Sequence, residues 1–322
     1  MWMVTGGAGY IGSHVLRALR AGGEAVMVYD DLSTGSADRV PDGVPLVVGS
    51  VLDGAGLEAA MREHAVEGVL HIAAKKQVGE SVEQPLHYYR ENVAGLTTLL
   101  EAMAATGADR LVFSSSAAVY GMPDVDLVTE DTPCEPINPY GETKLIGEWL
   151  IRAAARAHGI RAAALRYFNV AGAASPELAD AGVFNLIPMV FERLEAGKAP
   201  LIFGDTYPTP DGTCVRDFIH VSDIASAHLA AAVRLRDAEA GTMLTLNIGR
   251  GEGSSVRETV ERIIKITGAA GAVPEVVDAR PGDPARVVAS ADRIERQLGW
   301  SARYGLDVMI ESAWHGWRLR HP

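Results

Sequence analysis

The sequence is poor in cysteine, in long apolar runs and in positive charge. Cys134 and Cys214 are its only two cysteines in 322 residues, too few for a disulfide framework and without the paired spacing of a zinc site. No apolar run approaches the roughly 20 residues that cross a bilayer. Residues 1–7 lack the basic and apolar regions of a signal peptide. These absences point to a cytoplasmic protein with no membrane partner. Lys and Arg total 29 against 41 Asp and Glu, a net charge of −12. That argues against a nucleic-acid partner, which needs a cationic surface, but a few arginines in one cleft can still hold a small anion. Histidines are scattered without ligand spacing, and His71 at a strand end reads as core, so no metal is expected. Repeats, low-complexity tracts and obvious flexible linkers are missing too.

What is present is apolar material, 48% of the chain, enough for one elaborate domain or two closely joined ones. Short apolar runs at 3–4, 25–29, 44–48, 68–72, 110–113 and 161–166 read as strands. Between them, 10–19, 57–64, 86–105 and 140–158 have helical spacing. Strands alternating with helices predict right-handed βαβ units. The fold class is therefore α/β, a Rossmann-like doubly wound parallel sheet over residues 1–170. Beyond it, Pro/Gly-rich loops at 173–182, 204–212 and 280–284 break the rhythm. Residues 171–322 are expected to form a smaller α/β C-terminal lobe for substrate, with some strands and helices exchanged between the two. A shared cleft is the expected ligand site.

Gly6, Gly9 and Gly12 in TGGAGYIG lie between the first strand and the first helix. Glycines there let the backbone approach a pyrophosphate at the helix N-terminus and let the helix pack closely on the sheet. Asp30 follows the second strand, roughly where an acid meets the adenosine ribose. Asp31 is beside it and no arginine is adjacent to take a 2′-phosphate, which favours NAD over NADP.

The strand at 110–113 runs into Ser114, Ser115 and Ser116. Downstream, Pro139 can open a helix that sets Tyr140 and Lys144 four residues apart on one face. An ammonium near a phenol favours phenolate and lowers its pKa. A strand-end serine can bridge the phenol and a substrate oxygen. That set suits taking a proton from an alcohol while hydride leaves its carbon.

With these motifs in order along it, the chain resembles the UDP-glucose 4-epimerase family of extended short-chain dehydrogenase/reductases. The landmarks are TGGAGYIG at 5–12, KKQVGES at 75–81, SSSAAVYG at 114–121, NPYGETK at 138–144, RYFNVAGA at 166–173, FGDTYPTPDGTCVRDFIHV at 203–221 and RPGDPA at 280–285. The resemblance implies NAD as cofactor and inversion at C4 of a UDP-hexose through a transient 4-keto sugar. It implies Tyr140 as base, Lys144 on the nicotinamide ribose and Ser116 sharing the O4 proton. Gly6, Gly9, Tyr10, Ile11, Gly12, Asp30, Asp31, Ser50, Val51, Lys76, Asn92 and Phe168 match cofactor-contacting positions, and Tyr167 lines the nicotinamide side with Phe168. Asn169, Asn185, Leu186, Phe203, Arg216, Arg280, Asp283 and Val287 match positions that hold the UDP-sugar. Arginines are apt clamps for a diphosphate. The two helices at 86–105 and 140–158 match those that pair in a homodimer.

The chain departs from the family at several points. Ser50 replaces an Asp that meets the adenine amino group, though its hydroxyl can accept that bond. Ala118 lacks a hydroxyl used near the sugar, Asp31 stands for Asn, and Ala74 for Gly. Val287 is small where members restricted to plain hexoses are bulky, which opens N-acetylhexosamines as substrates. A 4,6-dehydratase would need an acid where Ala117 and Ala118 follow Ser116. UDP-glucuronate and UDP-pentose epimerases keep the same Tyr/Lys machinery and stay open. A non-catalytic NAD(H) sensor would have lost Tyr140 or Lys144.

Overall fold

The computed structural model describes residues 1–280 and 282–321, so Pro281 of the RPGDPA motif lies outside the described residues. Six strands open the chain: β1 (Trp2–Thr5), β2 (Val26–Asp30), β3 (Leu46–Val48), β4 (Gly68–His71), β5 (Arg110–Ser116) and β6 (Arg161–Tyr167). A seventh, Met243–Ile248, comes from the second half of the chain and pairs with β6. The order across the sheet is Met243–Ile248, β6, β5, β4, β1, β2, β3, and every pairing is parallel. Strand order reverses between β1 and β4, the point at which ligands of doubly wound sheets bind.

Side-chain alternation divides the core. Val4, Val28, Leu70, Val112, Ala163 and Leu165 form one cluster with Val15, Leu16 and Leu19 of helix Tyr10–Ala21 and Ile224, Ala231 and Leu235 of helix Val221–Arg236. Met3, Met27, Val69, Leu111, Phe113, Ala162 and Ala164 form the other, with Leu57 and Met61 of helix Gly54–Glu63 and Leu96, Leu99 and Met103 of helix Gly95–Thr106. Successive residues of one strand thus feed opposite faces, the period-2 pattern of a sheet covered on both sides. Each buried leucine contributes roughly 1.5–3 kcal/mol.

The second half also builds a smaller sheet, in which Val215–His220 pairs with Asn169–Ala171, Gly253–Ser255 and Arg286–Val287. A two-stranded piece joins Leu201–Phe203 to Glu275–Val277. Helix Leu306–Arg320 covers this lobe with Met309, Ile310 and Trp317. Two latches tie the loop after Ala171 to the first helix. The Tyr10 hydroxyl donates to the Gly172 carbonyl at 2.5 Å, and the Ala174 amide donates to His14 Nε2 at 3.0 Å.

Four imidazoles are buried: His14, His71, His220 and His228. His71 lies in the core, stacked on Phe113 and bonded to Thr5. Burial brings His71 down to about 3 and the other three to about 4. The unfolded chain binds protons at these groups below about pH 6.5 while the folded chain does not, so their contribution is present above 6.5 and is lost as pH falls toward 4. We expect the melting temperature to fall steadily between pH 6.5 and 4. Replacing His71 with Gln should flatten that slope, as read by thermal melts across the range.

Candidate active site

The loop after β1 is shaped by what a side chain would strike. Gly6 has φ +72°, and a Cβ on it would lie 2.6 Å from the Ala73 amide nitrogen. A Cβ on Gly12 would come within 2.0 Å of the Gly6 carbonyl oxygen. Helix Tyr10–Ala21 therefore starts hard against the loop, with its first amides at the mouth of the sheet. Ile11 sits half-buried in that first turn. Asp30 closes the far side: its carboxylate accepts the Ala8 and Leu32 amides, both at 2.9 Å. Leu32 is held at φ +58°, a conformation unfavourable for its branched side chain, directly after the acids. Asp31 is exposed and accepts the Ser33 amide. The cradle, the helix start and the partly free Asp30 carboxylate fit a dinucleotide.

Other expected cofactor residues are already engaged within the protein. Asn92, in a π-helical turn at Tyr89–Ala94, accepts the Lys75 amide and donates to the Lys75 carbonyl and Thr143 hydroxyl. It fastens the loop bearing Lys76 to the start of helix Pro139–His158. Lys76 itself lies 5.9 Å from the Tyr10 ring centroid and 3.9 Å from Asp180. The Ser50 hydroxyl accepts the Leu52 amide at 3.2 Å, leaving one lone pair for another donor. Val51, beside it, packs toward Gly95.

At the end of β5, three residues of one helix meet three successive serines. Asn138 caps helix Pro139–His158 by accepting the Gly141 amide. That start sets Tyr140 against Ser116, one turn before Lys144, whose Nζ donates to the Ser114 carbonyl at 2.8 Å. The Lys144 ammonium also lies 5.8 Å from the Tyr140 ring centroid and 5.0 Å from that of Phe113. Burial brings Lys144 down to about 7. The Tyr140 phenol is pushed up by burial and drawn back by its hydrogen bond to Ser116. This differs from the sequence expectation of a phenol pulled down by its lysine. Burial is the larger cause, and the Lys144 ammonium is turned to a backbone carbonyl rather than to the phenol.

Behind the trio runs a chain of known polarity. A carbonyl only accepts, so the His228 Nδ1 hydrogen goes to Ile224, leaving Nε2 to accept from Tyr167. The Tyr167 oxygen, 2.7 Å from Ser114 Oγ, then accepts the Ser114 proton.

The expected substrate residues gather on the neighbouring lobe. Val287 is buried in a cluster with Val119, Tyr120, Val128, Leu145 and Phe168. The segment after it is stitched to the loop that leads from Ser116 to helix Pro139–His158: Val128 donates to Val288, and Ser290 to Val128. Val287 pairs in register with Arg216, which donates to the Pro284 carbonyl at 2.7 Å and lies 3.7 Å from Asp283. The Arg280 guanidinium stacks over Phe203 at 3.7 Å. Asn169 is exposed, as is Asn185 at the start of helix Leu186–Glu195. The Asn185 side chain makes no cap, and Leu186 beside it is half-buried. Asp217, unnoticed in the sequence, is fully buried and accepts the Arg250, Gly251 and Ala289 amides. It fixes the strand that carries Val287; an acid between Arg216 and the apolar Phe218 was the available signal.

Residues 2–249 match the NAD dependent epimerase/dehydratase family. The chain belongs to that family. It is 48% identical to the UDP-glucose 4-epimerase of Azospirillum brasilense, over 97% of this chain and 90% of that one. A UDP-glucose 4-epimerase structure from Stenotrophomonas maltophila, with bound NAD and formylated UDP-arabinopyranose, superposes with TM-score 0.94 at 40% identity. It covers 99% of this chain and 98% of its own. The Brucella ovis enzyme in complex with NAD gives 0.92 at 41% identity, with 98% of each chain covered. Among the described residues no helix is long and apolar enough to cross a membrane, and no cluster of His, Cys, Asp or Glu could hold a metal.

Gly12→Ala should abolish NAD retention, because its methyl meets backbone rather than a movable side chain. Quantifying NAD released from the denatured protein checks it; retention at the wild-type level would contradict the cradle described here.

Proposed function

We propose that the chain inverts C4 of a UDP-hexose, interconverting UDP-glucose and UDP-galactose with tightly held NAD. The observation that carries this reading is the placement of Tyr140 against Ser116 and of Lys144 on the Ser114 carbonyl, with the glycine cradle opening the same sheet. Tyr140 takes the proton from the sugar O4 hydroxyl at its Oη and returns it after the ring has turned. Ser116 holds that oxygen in line with the phenol. Lys144 anchors the helix to β5 and supplies a donor for a ribose hydroxyl. NAD, which the glycine cradle and Asp30 would hold, would supply a cationic nicotinamide able to take hydride from C4 of the sugar and give it back. Arg216 and Arg280 hold the diphosphate, Asp283 takes the uridine ribose, and Asn169, Asn185, Leu186, Phe203, Phe168 and Val287 surround the remainder. The sugar is gripped loosely and the nucleotide firmly, so a 4-keto sugar can present either face.

The relatives support the substrate class, since those compared are UDP-glucose 4-epimerases at 40–48% identity. The test is turnover of UDP-galactose by purified protein without added cofactor, beside UDP-GalNAc and UDP-glucuronate. UDP-galactose should be converted fastest; conversion of only another UDP-sugar would move the substrate. Tyr140→Phe should lose roughly 10²–10⁴-fold in kcat while keeping its NAD. A non-catalytic sensor would be indifferent to that change.

A homodimer belongs to the same reading. Val78, Val82, Leu86 and Trp149 are exposed, Leu86 at 82% and Trp149 at 55%. Leu86 and Trp149 lie on the two helical regions that the family pairs between subunits, and Val78 and Val82 on the short helix Val78–Glu83 just before the first. Sedimentation should show a dimer, and Leu86→Asp with Trp149→Glu should give a monomer.

A further inference from the structure

Helix Pro139–His158 reaches β5 once more, a turn beyond Lys144. Glu148 is fully buried and accepts the Ser115 hydroxyl at 2.6 Å. It also receives a two-pronged Arg166, with Nε at 2.9 Å on one oxygen and Nη2 at 2.6 Å on the other. The third arm of Arg166 donates to the Tyr120 hydroxyl at 2.8 Å, and Tyr120 donates to Asn247 at 2.6 Å. Asn247 in turn donates to Val128. One continuous network therefore joins the catalytic helix, β5, β6, the turn after Ser116 and the edge strand. None of Ser115, Glu148, Tyr120, Arg166 or Asn247 is more than 4% exposed.

We propose that Glu148 and Arg166 are positioning residues for C4 epimerisation: the pair sets the axial register of the catalytic helix on β5, and so the distances among Ser116, Tyr140 and Lys144. This rests on the functional reading above. Tyr140, Lys144 and Glu148 occupy one stripe of the helix at four-residue spacing and reach Ser116, Ser114 and Ser115 in turn. Lys144 takes only a backbone carbonyl, and the Ser114 side chain turns to Tyr167 on the other face, so the Ser115 hydroxyl on Glu148 supplies the side-chain contact that fixes the register along the strand. A buried ion pair is a poor device for stability, because packed apolar residues of similar volume do as well or better. Its forked geometry is a good device for fixing direction.

The test compares Glu148→Met with Arg166→Met in one protein, and Ser115→Ala alone, against wild type. Wild-type turnover of UDP-galactose comes first; its absence overturns the functional reading and not this one. The double variant should melt at or above the wild-type temperature, keep its NAD and its KM, and lose about 10²-fold in kcat, the scale of an ångström of misplacement. Its pH profile of kcat should shift, because Tyr140 and Lys144 no longer share the same surroundings. Should the double variant not fold, Ser115→Ala decides. It leaves no charge unpaired, and a kcat lowered about tenfold with a shifted pH profile at unchanged melting temperature supports the assignment. Wild-type kcat and pH profile in either folded variant overturns it.

Discussion

The grip of one helix on one strand end governs the rest of this molecule. Helix Pro139–His158 meets β5 through a phenol, an ammonium and a carboxylate, each on a different serine. A strand places alternate side chains on opposite faces, so a slip of one residue would turn Ser116 away from the phenol and Ser115 into its place. Apolar packing resists such a slip weakly, since alanines and leucines fit many registers. Directional bonds to a backbone carbonyl and a single hydroxyl do not. The placement of Ser116 against Tyr140 is thus inherited from the registry of two regular elements rather than from a flexible loop.

The same logic joins the lobes. Tyr10 and His14 stand on the helix that opens at the glycine loop, and they clasp the backbone at Gly172 and Ala174. The chain then runs on to Asn185 and Leu186. Asp217 holds three amides that fix the strand carrying Val287, and Val128 ties that strand to the loop between Ser116 and helix Pro139–His158. Arg216 is held on the same lobe by the Pro284 carbonyl and lies beside Asp283. Arg280 rests on an aromatic ring, which orients its plane without neutralising it.

Much of this was legible in the sequence. The alternation of apolar runs gave the parallel sheet through β6, and the glycine spacing, Asp30 and the Tyr140/Lys144 pair announced a dinucleotide and proton transfer. What escaped were contacts that periodicity cannot register. Asn92 looks like a polar residue on a helix, yet its amide is taken by Lys75 and Thr143. Glu148 continues the stripe of Tyr140 and Lys144, but an acid on a helix is ordinarily solvated, and only Arg166, placed by another strand, makes its burial tolerable. The phenol of Tyr140 responds to dryness, which depends on how completely the fold encloses it. Strand Met243–Ile248 belongs to the first sheet although its sequence lies among the loops of the second half.

That last strand has a bearing on how the protein is made. Synthesis proceeds from the N-terminus, and β6 leaves the ribosome some eighty residues before its partner. In that interval Ala162–Leu165 presents an open hydrogen-bonding edge, and the helix Val221–Arg236 has yet to cover Val15, Leu16 and Leu19. A nascent chain paused there displays both an unpaired edge and an uncovered apolar face, the two features that invite pairing with other chains. The dinucleotide half thus acquires its edge strand and the cover of its first helix only when the second half of the chain has been made.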